Sequence, residues 1–499
     1  MTASQTNMKN INDMPLTWRH IYSVAVASLG QLIGTAVATV AGVIIPMMNI
    51  LAHPELSTFM QGLIGCIDLI GIAIGSVIFG SLSDKYGYLF FFRFCPALIL
   101  AASLVALFIP NVAVLTIALF FVGLGIGGEY SLDSGYVSEL MPVKYRALMV
   151  GVTKTASALG NIIAAALCFW VIMDTRNAAD WHLLMWIVAA IAALMLILRI
   201  KFYESPKWLL DHGKTAEAEK AVQDFLGKDV MIPTQAPQPE TTAKKSEPQS
   251  NDSDSDNFCS FIIKNGKRVI LSGIHWACEG LGVYGIGVFL PILVMALGLE
   301  HFTPGEAEIL HVASSVEITL YISCIMLPGF ILGLWLINKK KSITAIQSVG
   351  FWLCAATLVL LLLSYHFHWN KWISIGAFMG FELFLNMGPH LITYVLPPKI
   401  YPVETRGRGV GIAAAIGKIG AVLGVFFIPV LLKAGGATLV LIVSIAVMAI
   451  GAIVTNIYGR LVKIYQNRRA DSPKTWGTAE RFNLLLTEGS DFDRTLGFL

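Results

Sequence analysis

Twelve apolar runs of roughly 20 residues, the length a helix needs to cross a bilayer, recur along this 499-residue chain. They cover approximately 21–48, 58–81, 89–109, 112–138, 147–173, 182–203, 268–296, 307–337, 343–364, 372–397, 409–432 and 437–458. Backbone groups in lipid must be satisfied within their own segment, so each run is expected to be a helix. Six runs precede a polar segment at 204–262 and six follow it. The prediction is an all-α polytopic membrane protein with twelve transmembrane helices in two six-helix bundles. Only 13% of the residues are charged, against about a quarter in a soluble protein. The formal net charge of +3 is too small to suggest nucleic acid as a partner; the lipid bilayer is the expected one.

The polar stretches divide the chain into a tail at 1–17, a first bundle at 18–210, a linker at 211–262, a second bundle at 263–465 and a tail at 466–499. Loop charge predicts the orientation. With the N-terminus inside, the external loops hold only Arg176, Lys371 and Lys433 as basic residues. The internal loops hold Lys85 and Arg93, Lys144 and Arg146, Lys339 to Lys341, Lys399 to Arg408, and Arg460 to Arg469. Both termini and the linker are therefore expected in the cytoplasm, and the chain in the cytoplasmic (inner) membrane. Within the linker, 214–226 reads as a short amphipathic helix. Residues 228–257, rich in Pro, Gln, Ser, Asp and Thr, read as a flexible segment. The first 17 residues lack the elements of a cleavable signal peptide, and the last tail offers one amphipathic turn near Phe482 to Leu486. Six of the seven cysteines (Cys66, Cys95, Cys168, Cys278, Cys324 and Cys354) lie in apolar runs, where thiols behave as small hydrophobes. Their spacing fits no disulfide or zinc framework.

The stretch from Asn386 to Ala421 joins three unusual features. An apolar run is interrupted at Gly388-Pro389, a basic hairpin follows, and the next run carries a single lysine, Lys418. Pro389 lacks the N–H that would bond residue 385, so the helix backbone should open there. Broken helices near the membrane midplane are where transporters place binding sites. Asn386 and His390 flank the break, His390 as a substrate or proton ligand or as a satisfied interhelical histidine. A lysine inside a span costs about 2.5–3.5 kcal/mol on insertion scales and calls for a partner or a task. Lys418 would attract an anion or neutralise an acid such as Glu279 or Glu382.

Other ionisable residues inside the runs include Asp68, Glu129, Asp133, Lys154, Glu279, Glu317 and Glu382, with His275 and His311. Such residues face a cavity or a partner more often than lipid, and a carboxyl group in a dry interior can hold a proton near neutrality. Glu129 and Asp133 share one helix face, as a proton site or as a structural ion pair with Lys154 or Arg146. Asp68, Glu279 and Glu317 are further proton-coupling candidates. Lys154 is expected to snorkel toward the cytoplasm. Trp276, Gly280 and Tyr284 recur at four-residue spacing, giving a candidate substrate wall of two rings and a gap. His275 and Glu279 form a second pair, either a relay or a packing contact. Gly123 to Gly128 lies in a lipid-spanning run without a preceding strand, so it favours close helix approach over nucleotide binding. No zinc site, catalytic triad or P-loop stands out, so neither enzymatic activity nor a metal or other cofactor is expected.

Local motifs sharpen this reading. Gly80-Ser-Leu82-Ser-Asp84-Lys85-Tyr-Gly87 resembles the loop between helices 2 and 3 of the major facilitator superfamily. Gly123-x-Gly125-x-Gly127-Gly128-Glu129, with Glu139 and Arg146, and Glu204-Ser205-Pro206-Lys207-Trp208-Leu209 resemble elements of its sugar-porter and organic-ion branches. Pro328-Gly329 with Asn338 and Lys339 looks like a decayed second copy of the first loop. The stretch Asn386 to Ala421 resembles the phosphate:proton symporters without a gap, through Asn386, Gly388, Pro389, Thr393, Pro397, Pro402, Arg406, Gly409, Gly411, Gly417, Lys418 and Gly420. The resemblance implies two pseudo-symmetric bundles and substrate contacts from Tyr130, Ser157, Trp276, Tyr284, Asn386, His390 and Lys418. It also implies a cytoplasmic gate of Asp84, Glu139, Arg146 and Arg406. The ligand shell departs from that family. His390 stands for an Asn, Ser157 for a Gln, Gly280 for an Asp with Glu279 one residue earlier, Lys399 for a Glu and Leu119 for an Arg; the first run has no acid. The reading is a monomeric, proton-coupled symporter of a small polar, anionic metabolite. A proton-coupled sugar transporter and a non-transporting membrane receptor are the alternatives.

Overall fold

The computed structural model describes residues 9–10, 15–52, 56–142, 145–226, 230–231, 258–301, 307–339, 341–401 and 406–470. The side chains of Asp84, Arg146 and Arg406 lie outside this description, as do 232–257 of the linker and the turn expected near Phe482. The first six runs form α1 (Trp18–Leu51), α2 (Thr58–Tyr86), α3 (Tyr88–Phe108), α4 (Val112–Leu140), α5 (Arg146–Thr175) and α6 (Met185–Arg199), the last entered through a 3-10 turn at Ala178–Leu184. Asn111 caps α4 by accepting from the Ala113 and Val114 N–H groups. This satisfies donors that a helix start leaves free. α1 is buried on all sides from Gly30 to Met48, so it runs through the interior, and residues of both halves share one hydrophobic core around it.

Two short helices follow, α7 (Pro206–Asp211) and α8 (Thr215–Leu226). The predicted amphipathic helix is α8, which buries Ala218, Ala221, Val222 and Phe225. It docks on the start of α1. The Arg19 guanidinium donates to the carbonyls of Asp224 and Phe225 at 2.6 Å each, where a helix end leaves carbonyls free. The His20 ring meets Phe225 edge-on. A two-residue parallel ladder then pairs β1 (Lys9–Asn10) with β2 (Val230–Met231). The first tail is thus joined to the start of the segment read as flexible.

In the second half, α9 (Phe258–Val269) begins ten residues before the expected seventh span. That span is not a regular α-helix. π-helical turns at Ile270–Ile274 and Leu281–Ile286 flank α10 (His275–Gly280), and α11 (Leu290–Ala296) completes it. The eighth span is two helices, α12 (Glu308–Cys324) and α13 (Met326–Asn338), meeting at Ile325. Pro328 explains the break, since it has no N–H to offer the carbonyl at Cys324. The ninth is α14 (Ile343–His366). The tenth breaks as predicted, α15 (Lys371–Met387) ending at Gly388 and α16 (Pro389–Val395) restarting at Pro389, followed by α17 (Pro397–Ile400). Spans eleven and twelve form α18 (Arg406–Ala470), interrupted at Gly435 and Gly436.

Ten stretches among the described residues are long and apolar enough to cross a membrane. One of them, Gly409–Arg460, contains the turn at Gly435–Gly436 and so holds two crossings. The broken α15–α16 pair supplies a further one. The protein is a multi-pass helical membrane protein, and twelve crossings account for its helices.

Candidate substrate-binding site

The two halves meet mid-span in a cluster of rings and charges. The first half contributes Gln31 of α1, Tyr130 of α4 and Lys154 of α5. The second contributes Trp276 and Glu279 of α10, Tyr284, His390 and Tyr394 of α16, and Lys418 of α18. The Lys418 ammonium donates to the Tyr284 hydroxyl at 3.4 Å and lies 4.6 Å from the Tyr284 ring and 5.5 Å from that of Tyr130. Such distances are within cation–π range. Lys154 donates to Gln31 Oε1 at 3.1 Å and sits 4.4 Å from the Tyr394 ring. Trp276 packs edge-on against Tyr394 at 5.2 Å. Tyr394 stays 37% exposed despite these neighbours. Asp68 of α2 is buried, accepts from the Leu69 N–H at 2.7 Å and lies in the field of Lys418.

The break at Gly388 sets the other wall. His390, just beyond it, bonds through Nδ1 to the Glu279 carboxylate, and both residues are buried. Its Nε2 has no hydrogen-bond partner among the described residues. The pairing expected between His275 and Glu279, as a relay or as a packing contact, is therefore corrected. His275 turns back to the Leu271 carbonyl of its own helix, and His390 takes the carboxylate. Gly280, taken as the gap in a substrate wall, instead packs against Gly417 and Ala421 of α18. The π turns change which residues face the centre, because a π turn holds more residues than an α turn. Asn386 turns away to the Glu382 carbonyl and carboxylate of its own helix, at 2.7 and 3.1 Å. Ser157 is likewise absorbed. Its hydroxyl returns to the Lys154 carbonyl at 2.7 Å, and its own carbonyl accepts from Thr35.

A second polar centre lies within the first half. Arg199, fully buried at the end of α6, reaches Glu129 at 2.6 Å and Asp133 at 3.3 Å. Its guanidinium also stacks 4.6 Å from the Phe92 ring. Of the two alternatives read for Glu129 and Asp133, a proton site or a structural ion pair, an ion pair is present among the described residues, with Arg199 as its cation and not Lys154. Lys154, expected to snorkel, points inward because Gln31 and the Tyr394 ring provide for its ammonium there. Glu317 accepts from the Tyr321 hydroxyl one turn along its own helix.

At the end of the bundle where the linker leaves, the Glu204 carboxylate accepts from the Tyr88 and Leu89 N–H groups at 2.8 and 3.0 Å. It caps α3. Gly87 sits between them at φ 92°, a conformation that side chains disfavour, and a Cβ there would strike the Glu204 carboxylate. Ser205 donates to Glu139, which also accepts from the Tyr88 hydroxyl at 3.3 Å. Glu139, expected in a gate, is thus bonded within its own half. Asp84, Arg146 and Arg406 belong to the helical backbones of α2, α5 and α18. A cavity of about 710 Å³ opens at the opposite end, between Asn49, Gln61, Tyr365 and Lys433, and no predicted site residue lines it.

A family model described as "Sugar (and other) transporter" matches residues 7–458. The chain belongs to the sugar (and other) transporter family. It is a major facilitator superfamily transporter. The inner membrane metabolite transport protein YgcS of Escherichia coli is 25% identical to it over 90% of this chain and 93% of that protein. The repressible high-affinity phosphate permease of Neurospora crassa is 23% identical over 84% of this chain and 79% of its own length. The fold matches that of the xylose transporter XylE from Escherichia coli in a partially occluded, inward-open conformation. The TM-score is 0.69 and the identity 17%, over 88% of this transporter and 97% of that chain. Of the predicted substrate residues, Tyr130, Trp276, Tyr284, His390 and Lys418 come together in the transporter; Ser157 and Asn386 do not. Gln31, Lys154, Tyr394 and Arg199 were missed as site residues. Two acids one turn apart in lipid were the available signal that a cation such as Arg199 must lie near.

Proposed function

We propose that the transporter is a monomeric, proton-coupled symporter of a small, polar, anionic metabolite, working by alternating access in the cytoplasmic (inner) membrane with both termini in the cytoplasm. The observation that carries this reading is the juxtaposition of Lys418, Tyr284 and Tyr130, two elements of one half and one of the other, beside the Glu279–His390 pair. A cation held by phenols from both halves favours an anion that bridges them. A carboxylate bonded to an imidazole offers a place for a proton next to that anion. Asp68, in the field of Lys418, is a second such place. Glu129 and Asp133 share one guanidinium, so a proton on either carboxyl balances the charge of that buried centre. The relatives named for metabolite and phosphate transport support a polar, anionic cargo. Positive loops at the linker end support the orientation, with Asp84, Glu139, Arg146 and Arg406 at a cytoplasmic gate.

The test is uptake into proteoliposomes under an imposed pH gradient. Glu279→Gln is expected to abolish gradient-driven accumulation while sparing counterflow of the same anion. Accumulation unchanged in that variant removes the Glu279–His390 pair from coupling. Gradient-driven uptake of a neutral sugar in preference to any anion refutes the anionic cargo.

A further inference from the structure

We infer that Lys154 is the second anion-binding cation of this transporter, paired with Lys418 from the opposite half, and that the cargo is an organic anion with acceptor groups at two ends. The inference rests on the transport reading above. Lys154 is 4% exposed and lies in the first third of α5. Among the described residues no carboxylate lies within 4.0 Å of its ammonium or of that of Lys418. Its partners are neutral: Gln31 Oε1 at 3.1 Å, and the rings of Tyr394 and Tyr130 at 4.4 and 5.7 Å. Lys418 reaches the same Tyr130 ring at 5.5 Å. A buried ammonium held only by an amide oxygen and π faces is incompletely compensated. Lys418, held by a phenol hydroxyl and two ring faces, converges on the same Tyr130 ring, and the two like charges repel.

The acids that face the pair are Glu279, toward both lysines, and Asp68, toward Lys418. Glu279 is already engaged by His390. The remaining groups around the ammoniums, Gln31, Tyr130, Tyr284 and Tyr394, bring no charge near neutrality. An anion between the lysines relieves their repulsion and supplies what each lacks. Because Lys154 belongs to the first half and Lys418 to the second, such a ligand ties the halves together. Trp276, Tyr394 and Tyr130 offer ring faces along the way, which suit a carbon skeleton better than a compact oxyanion. A small dicarboxylate meets these requirements, with one acceptor group for each lysine and a carbon chain for the rings; a monocarboxylate lacks the second acceptor and inorganic phosphate lacks the carbon chain.

The experiment compares succinate, lactate, inorganic phosphate and xylose as probes of the purified full-length transporter. In proteoliposomes, Lys154→Gln is expected to raise the KM for succinate roughly 10- to 100-fold, the loss of one charged hydrogen bond. The same variant is expected to cost lactate and phosphate at least about fivefold less than succinate, and Lys154→Arg to restore most of the succinate loss. Thermal shifts of the unsubstituted protein provide a check that no variant can spoil: succinate should raise the melting temperature more than lactate at equal concentration. Equal shifts, or a Lys154→Gln loss that is the same for every anion, overturn the inference and leave proton-driven anion transport standing. Gradient-driven uptake of xylose with no anion taken up overturns both.

Discussion

At the residue scale, the largest single commitment of the first half is Arg199. A guanidinium with no exposure stands between two carboxylates, and removing one partner of a buried ion pair costs about 3–5 kcal/mol. Arg199→Leu is therefore expected to lower the unfolding temperature in detergent sharply. The triple variant with Glu129→Gln and Asp133→Asn should recover most of the loss, because no charge is then left buried. Recovery absent from the triple variant would mean that Arg199 stabilises through its stack on Phe92. This centre shows where sequence reading stops. Glu129 and Asp133 are visible as a pair because a helix face is a local property. Their cation is 66 residues away from Asp133 at a helix end, where a lone arginine looks like an ordinary snorkelling side chain. The Glu279–His390 bond spans 111 residues and is equally invisible, whereas both members were recognisable singly as charges that lipid would not tolerate.

At the scale of elements, the apolar runs were legible because bilayer thickness and backbone satisfaction leave one solution. The tenth-span break was legible because Pro389 has no N–H. The departure in the seventh span came from turns that deviate from an α-helix without a proline at the spot. The π turns around α10 have only apolar residues, serine, tyrosine and glycine, none of which announces a wider turn. The break at Gly388 positions His390 and Tyr394 on a short helix of its own. Pro389→Ala supplies the missing N–H, and α15 and α16 should then join into a straighter helix that moves both side chains. The expected outcome is a folded transporter whose KM for its anion rises severalfold, with an unchanged melting temperature or a higher one. A KM that does not move would show that the break serves packing alone.

At the scale of the whole molecule, the halves close on each other at the end away from the linker. Gly42 of α1 touches the Val288 carbonyl so closely that a Cβ would collide with it. Phe59 of α2 meets Phe426 of α18 edge-on at 5.6 Å. Gly42→Val should wedge this end open and shift the population toward the opposite-facing state. A single cysteine placed at Gln61, in the cavity at that end, is then expected to react faster with a membrane-impermeant maleimide than in the parent protein. Equal labelling rates would locate the closure elsewhere. The π turn at Ile270–Ile274 also bears on how residues are exchanged between this transporter and its relatives. Such a turn holds more residues than an α turn, so which face a residue presents cannot be carried over by counting through it. The carboxylate sought at 280 stands at 279, and an engineer grafting an acid onto Gly280 would jam the contact with α18 while leaving the native ligand in place. Chimeras of this helix should be spliced outside 270–286, so that the register travels with the side chains it serves.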